Sequence, residues 1–327
     1  MSAESPEPRL TDRLDLEALE PRAVHRLLVA MIENGAGRTV RVPVVVARGA
    51  SEGPVVGVTA AIHGNELNGV FCIHELVRRL PVRDLVGTVV GVPIVNMPGF
   101  LTHQRDYRDG KDLNRLMPGR PRGTSSEVYA HRFVERVVRP FEYLIDLHTA
   151  SFGRVNSLYI RADMSRPQTA EIARLLRPQI VVHNPGEDGT LRAAAEKLGI
   201  HAVTVEVGDP QRIQHKLVSL TRIAIRDVLE RLSMLPPDRE RVEREPIECA
   251  RSYWVFTDTG GLLEVLPRVA DRVQKGQVIA RLVNEWGDPT RTYEAPEDGV
   301  VIGKSTNPVA YSGARILHLG IEGAVAP

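Results

Sequence analysis

Two cysteines in 327 residues, Cys72 and Cys249, are too few and too far apart for a disulfide framework or a thiolate zinc site. Cys72 falls in a stretch of helical apolar spacing and reads as a core residue. An excess of either charge is also missing. The 42 Lys and Arg against 41 Asp and Glu leave a net charge of +1, so no long-range field calls for nucleic acid or an anionic membrane. Long apolar runs are absent; the longest, such as 42–47, are far too short to span a bilayer. The segment 1–22, rich in Glu, Arg and Pro, lacks the apolar core of a signal peptide. The expectation is a cytoplasmic protein with no membrane and no nucleic-acid partner. What is present is an ordinary globular balance, 43% hydrophobic and 25% charged, with enough apolar material for a sizeable core. The length suits one large domain, or a large one with a small one.

After a weakly ordered N-terminus over 1–22, strand-like and helix-like patterns alternate. Segments 40–47, 54–61, 87–93, 143–147, 158–160, 179–182 and 202–207 read as strands, several continuous and β-branched as in a buried sheet. Segments 68–80, 126–138, 169–176, 190–198 and 211–232 read as helices. The alternation argues for an α/β domain over 23–245, built on a largely parallel or mixed sheet flanked by helices. A break with two prolines and a run of charges follows at 234–246. Beyond it, short strands at 260–265, 278–282, 292–295, 299–302 and 315–319 are separated by turn residues. Residues 246–327 read as a small all-β module. No repeat of 20–50 residues is present.

Chemistry concentrates where apolar strands end. The run 54–61 leads straight into His63-Gly64-Asn65-Glu66, and the carboxyl end of a strand in an open α/β sheet is where ligands bind. His63 and Glu66 are about one helical turn apart, so both can face one ion, and imidazole and carboxylate are standard zinc donors. By itself the pair is a weak signal, since a histidine near a helix start is more often a cap or a surface group. The run 143–147 delivers His148 in the same way, with Asp146 two residues earlier and so on the same side of the strand, placed to orient a ligand. The bland alternative is a satisfied core histidine. A third run, 202–207, carries Glu206 in a β-branched setting, where an unpaired carboxylate is costly; a structural salt bridge is the alternative. Two histidines and one glutamate leave a fourth zinc position for water, and an unligated glutamate such as Glu206 suits the role of base. Between these elements lies an arginine-dense segment, 105–115. There Asn114 and Arg115 suit a substrate carboxylate, and a nearby arginine suits a developing oxyanion.

Taken jointly, His63-Gly-Asn-Glu66, Asp112-Leu-Asn-Arg115, Asp146-Leu-His148 and Val205-Glu206-Val-Gly208 resemble the succinylglutamate desuccinylase/aspartoacylase family, which is related to the zinc carboxypeptidases. The four motifs stand in the family's order, and the resemblance runs from about Val40 to the C-terminus. It implies one Zn2+ per chain held by His63, Glu66 and His148, with Glu206 as general base. It implies Asn114 and Arg115 as the carboxylate anchor, Arg105 as the carbonyl-polarising arginine with Arg108 as the alternative, and Asp112 as the acceptor that fixes His63. The activity implied is hydrolysis of the amide bond of a small N-acyl amino acid or a related acylated amine. A zinc carboxypeptidase acting on short peptides and a non-catalytic zinc-binding protein are the alternatives. A C-terminal β-domain near the site mouth, also implied, favours a small-molecule substrate. Nothing in the sequence excludes a homo-oligomer. Residues 269–282 and 294–302 resemble a lipoyl- or biotinyl-type half-barrel without an evident attachment lysine, so a carrier role is not expected. Leu116-Met117 stands where many relatives have an aromatic, a change expected to alter the pocket wall.

The remaining sequence signals carry no functional reading. Gly303-Lys304-Ser305-Thr306 has Asp298 where a phosphate-binding loop needs glycine, and it lies among short strands. His74, His131, His183, His201, His215 and His318 lack partners at suggestive spacing. Trp254 and Trp286 read as packing for the β-module.

Overall fold

The computed structural model describes residues 7–186 and 189–325. The main sheet runs from edge to edge through Arg9–Thr11, Ala23–Glu33, Thr39–Arg48, Val86–Val92, Ser51–Ala60, Tyr143–His148, His201–Glu206, Tyr159–Ala162, Ile180–His183, Ile247–Phe256, Arg315–Glu322, Gly299–Ser305 and Arg272–Val273. Its centre is parallel: Ser51–Ala60 pairs in parallel with both Val86–Val92 and Tyr143–His148, and Tyr143–His148 with His201–Glu206. Both ends are largely antiparallel. Helices Asn68–Arg79, Ser125–Phe133, Pro167–Leu175, Leu191–Lys197 and His215–Arg231 cover the faces. Two large apolar clusters result. One holds Val58, Ile73, Ile145, Val203 and Leu229, the other Met31, Val44, Tyr129, Phe133 and Leu144. This is the mixed α/β architecture expected, with a second, four-stranded antiparallel sheet in the C-terminal region.

Local chemistry explains the elements nearest the site. Helix Ser125–Phe133 starts on a capping box, in which the Thr124 N–H donates to Glu127 Oε2 at 2.8 Å. The chain continues through a wider turn at Val134–Val138, so the helical reading of 126–138 covers two conformations. Helix Asn68–Arg79 is pinned at its start. The Asn68 amide donates to the Val207 carbonyl at 2.9 Å and accepts from the Gln214 N–H at 3.0 Å, which ties the segment after Glu206 to the segment after Glu66.

The N-terminal reading needs correction. Residues 1–6 lie outside the described part, but 9–22 are built into the fold. Arg9–Thr11 pairs in parallel with Ala23–Glu33, Leu14 and Leu19 are buried, and the Leu14 N–H donates to the Arg136 carbonyl at 2.8 Å. Polar composition could not show this, because the pairing partner is a strand that the sequence pattern also passed over. That strand, Ala23–Glu33, turns at Asn34, whose side chain accepts from the N–H groups of Ala36 and Arg38, and returns as Thr39–Arg48. At the other boundary, Ile247–Phe256 pairs in parallel with Ile180–His183 and antiparallel with Arg315–Glu322, so the main sheet continues into the C-terminal region without interruption.

Gly57 shows how tightly the sheet is covered. A Cβ there would sit 2.3 Å from the Phe141 ring. Gly57→Ala is expected to cost about 1–3 kcal/mol through forced displacement of that ring. A denaturant midpoint indistinguishable from that of the parent would count against this packing.

Candidate active site

Three parallel strands end side by side and present the polar groups singled out above. Ser51–Ala60 runs into a turn, not a helix, that carries His63 and Glu66; the helix starts only at Asn68. Gly64 is needed in this turn because a Cβ would meet the Gly99–Phe100 backbone at about 2.1 Å. His148 ends its strand directly opposite Glu206 on the parallel neighbour, and Asp146 lies between Thr59 and Thr204 in the same register.

His63, Glu66 and His148 are brought together. One donor atom from each lies within 4.8 Å of the others, and all three residues are buried. Glu66 Oε1 is 2.9 Å from His63 Nδ1, and Glu66 Oε2 is 3.0 Å from His148 Nδ1. The outer nitrogen of each ring meets a second carboxylate: His63 Nε2 lies 3.1 Å from Asp112 Oδ1, and His148 Nε2 lies 3.0 Å from Asp146 Oδ2. Asp146 also accepts from the Thr59 hydroxyl at 2.6 Å. Each ring is therefore fixed from outside, with its Nδ1 turned inward. His63 Nδ1 is buried and makes no hydrogen bond despite its nearness to Glu66. An orphaned inward nitrogen, a second inward nitrogen and a carboxylate are the donor set of a divalent metal such as zinc, so these residues fit one.

The electrostatics agree. Burial alone would raise the Glu66 carboxyl, but His63 and His148 outweigh it and hold Glu66 well below the ordinary carboxylate range. Burial opposes a charged His148, yet Asp146 and Glu66 push that imidazole up to about 10. Asp112 is likewise held below its ordinary value, because His63 and Arg105 overcome its burial.

The other expected residues fall into place unequally. Arg105 reaches the cluster, donating from Nη1 to Glu66 at 2.9 Å and to Ser151 at 2.6 Å, and from Nη2 to Asp112 at 3.0 Å. Arg108 does not. It is exposed and lies outside the cavity lining, because buried Tyr107 anchors a tight turn whose ends meet at the Lys111 carbonyl and Tyr107 N–H, and this turn faces Arg108 outward. Arg108 is therefore withdrawn as a substrate-binding candidate, and of the two arginines Arg105 is the one in the site. Asn114 and Arg115 line the cavity from a short helical turn capped by Asp112. The Asn114 carbonyl oxygen accepts from the Leu191 N–H at 2.7 Å, which leaves its NH2 for a ligand. Leu116 and Met117 are not in the lining; Met117 packs in the core, so the pocket-wall effect expected there is absent.

Glu206 is 6% exposed. It accepts from Arg161 Nη2 at 2.6 Å on Oε1 and from Asn156 Nδ2 at 3.4 Å on Oε2. Arg161 was missed because it comes from a short strand antiparallel to His201–Glu206, a pairing that no local pattern announces. Trp254 and His318 also need correction. Together with Ser252, Tyr253 and Arg315, they line the same cavity of about 510 Å³. Trp254 and His318 are cross-strand partners with stacked rings, centroids 5.1 Å apart. Burial, then Arg161, Arg154 and Arg315, push His318 down to about 3, so it is neutral, and its Nε2 lies 2.9 Å from the Ser252 hydroxyl. A larger groove of about 720 Å³ runs along Pro167–Leu175 and 245–248, but it shares none of these residues and is lined by the ion-paired Arg174 and Glu248.

Residues 52–232 match the succinylglutamate desuccinylase/aspartoacylase catalytic domain. The chain belongs to the succinylglutamate desuccinylase/aspartoacylase family. It is 29% identical over 297 residues to an N-alpha-acetyl-L-2,4-diaminobutyric acid deacetylase of Halomonas elongata, a match covering 85% of each chain. It is 28% identical over 181 residues to a succinylglutamate desuccinylase of Pseudomonas paraeruginosa, covering 50% of this chain and 54% of the other. Among solved structures, a succinylglutamate desuccinylase/aspartoacylase from Rhodobacter sphaeroides superposes with a TM-score of 0.84 at 23% identity, covering 96% of this chain and 99% of the other. A product-bound ectoine utilization protein from Ruegeria pomeroyi does so with a TM-score of 0.82 at 24% identity, covering 91% and 95%. These two likenesses define the fold. No helix among the described residues is long and apolar enough to cross a membrane.

Proposed function

We propose that this chain is a zinc-dependent deacylase that hydrolyses the amide bond of a small N-acyl amino acid or a related acylated amine. The observation that carries the reading is the inward-facing His63–Glu66–His148 set, with each imidazole braced by its own carboxylate, beside a separate buried Glu206. The family and the two deacylating relatives support it. In this reading residues 23–245 are the hydrolase domain and 246–327 a β-module that walls the site.

His63, Glu66 and His148 would hold the zinc, which when bound acidifies a water and polarises a carbonyl. Glu206 takes the proton of the attacking water and passes it to the leaving amine. Arg161 holds Oε1 of that carboxylate at 2.6 Å and Asn156 reaches Oε2 only at 3.4 Å, so Oε2 is the atom that moves the proton. Arg105 keeps Nε–H and one Nη2 proton beyond its three contacts, donors suited to the carbonyl oxygen as charge builds on it. The Asn114 NH2 and Arg115 orient the substrate carboxylate. A wall contributed by Ser252, Tyr253 and Trp254 favours small substrates over peptides.

The test is metal content measured together with hydrolysis of a panel of acetyl, succinyl and longer N-acyl amino acids. About one zinc per chain with release of the free amino acid is expected; zinc without turnover on any acylated amine would overturn the reading. Asp146→Asn should weaken zinc affinity by about 10–100-fold, since His148 loses the charged acceptor that orients it. Competition with a chelator reads this directly, and an unchanged affinity would sink the bracing role.

A further inference from the structure

The short strand Arg154–Asn156 comes soon after His148 in the chain, yet it pairs with none of the strands that end at the site. Among the described residues its one strand partner is Gly299–Ser305, from the C-terminal region. The pairing is closed at both ends. The Thr306 N–H donates to the Gly153 carbonyl at 2.8 Å, and the Ser157 N–H and hydroxyl both donate to the Ile302 carbonyl at 2.9 Å. A C-terminal strand therefore fixes where Asn156 stands.

In the antiparallel register Asn156 is opposite Gly303, Gly303 is opposite His318, and His318 is opposite Trp254. Residues directly opposite one another share a face of the sheet, so these four form one row across four strands. Asn156, His318 and Trp254 line the cavity, and Gly303 is the gap in the row. The Asn156 side chain occupies that gap. A Cβ on Gly303 would sit 2.3 Å from Asn156 Oδ1, so the amide lies over the bare glycine. With Oδ1 seated there, Nδ2 turns to Glu206 and donates to Oε2 at 3.4 Å. The other oxygen of Glu206 accepts from Arg161, on a different strand, at 2.6 Å. A carboxylate held at one oxygen can still swing about that contact, and a second donor from another direction sets its aim. The longer contact leaves Oε2 a lone pair for the proton it moves.

We propose that the C-terminal region is part of the catalytic apparatus: Gly303, through its missing side chain, seats Asn156 as a positioning residue that aims the Glu206 carboxylate. The inference rests on the deacylase reading with Glu206 as base, and it gives the β-module a role beyond walling the site.

The test is a double-mutant cycle on the zinc-loaded enzyme, read as kcat and KM on the acyl amino acid that the parent turns over fastest. N156A should lower kcat by about tenfold, the scale of a hydrogen bond to a charged group, and leave KM within about twofold. N156D keeps the shape but replaces the donor with a like charge, and should lose at least as much. Gly303 touches no reacting group, yet G303A should lose about as much as N156A, because its Cβ expels the amide. The double variant N156A/G303A should be no slower than either single one, since both act through one contact. Additive losses, an unchanged kcat in G303A, or a change confined to KM in N156A overturns the proposal. If circular dichroism shows G303A unfolded, N156A and N156D decide: a lower kcat at constant KM in both supports it, and parent-like kcat in either overturns it. If the parent hydrolyses no acylated amine, the deacylase reading fails, and crystal structures of the parent and G303A decide the seating separately. Asn156 against Glu206 in the parent and turned away in G303A supports it; an amide pointing elsewhere in the parent, or unmoved in G303A, overturns it.

Discussion

Glu206→Gln is expected to keep the zinc and lose about 100- to 10,000-fold in kcat, the range that a positioned general base contributes. The amide is nearly isosteric with the carboxylate, so its oxygen can still accept from Arg161 and the buried pocket stays filled. What it cannot do is take a proton from water. Glu206 is not one of the three clustered donors, so metal content should remain near one per chain. Steady-state kinetics and metal analysis on the same sample check both halves. Turnover within a few-fold of the parent would remove Glu206 from the role of base and leave its pairing with Arg161 as a structural feature.

His148→Ala is expected to lose the metal and with it all turnover. One of three donors disappears, and Asp146 is left deep in the sheet with Thr59 as its one remaining side-chain partner among the described residues. Breaking such a buried pair typically costs about 3–5 kcal/mol, so the thermal midpoint should fall as well. Circular dichroism distinguishes a folded metal-free protein from an unfolded one, and full metal retention in the folded variant would overturn the donor set. A pH dependence follows from the same residue. His148 in the metal-free protein titrates at about 10 and therefore carries a proton at neutral pH, which metal binding must expel. Zinc affinity should accordingly tighten as pH rises toward that value and weaken as pH falls; a flat profile between pH 6 and 9 would contradict it. For folding of the metal-free protein the sign is opposite. A raised His148 contributes stability that is fully present below its unfolded value near 6.5 and is lost as pH rises through about 10.

Much of the site was legible before any coordinates because it follows one rule repeated three times. An apolar, β-branched run buries itself in a sheet, and the polar residue that ends the run stands at the sheet's edge. His63, His148 and Glu206 each end such a run, and the structure brings those ends together. Spacing of two along a strand likewise put Asp146 and His148 on one side, and the contact between them is 3.0 Å. The choice between Arg105 and Arg108 was not legible, because it depends on a turn pinned by buried Tyr107. The N-terminal strands were missed for a related reason. Arg9–Thr11 gains its order from pairing with Ala23–Glu33, not from its own composition.

The sequence by itself determined the α/β layering and the residues able to carry the chemistry. These are set by local apolar periodicity and by the cost of burying a charge without purpose. Only the tertiary structure decided that Arg161 holds Glu206, and that Trp254, His318, Arg154 and Arg315 converge on the same cavity. Those contacts depend on how Tyr159–Ala162 registers against His201–Glu206, and on Ile247–Phe256 joining Ile180–His183, which carries the C-terminal strands onto the sheet. Strand pairing between distant segments is selected by global packing, so residues as far apart in the chain as Arg154 and Trp254 become neighbours with no mark of it in either segment.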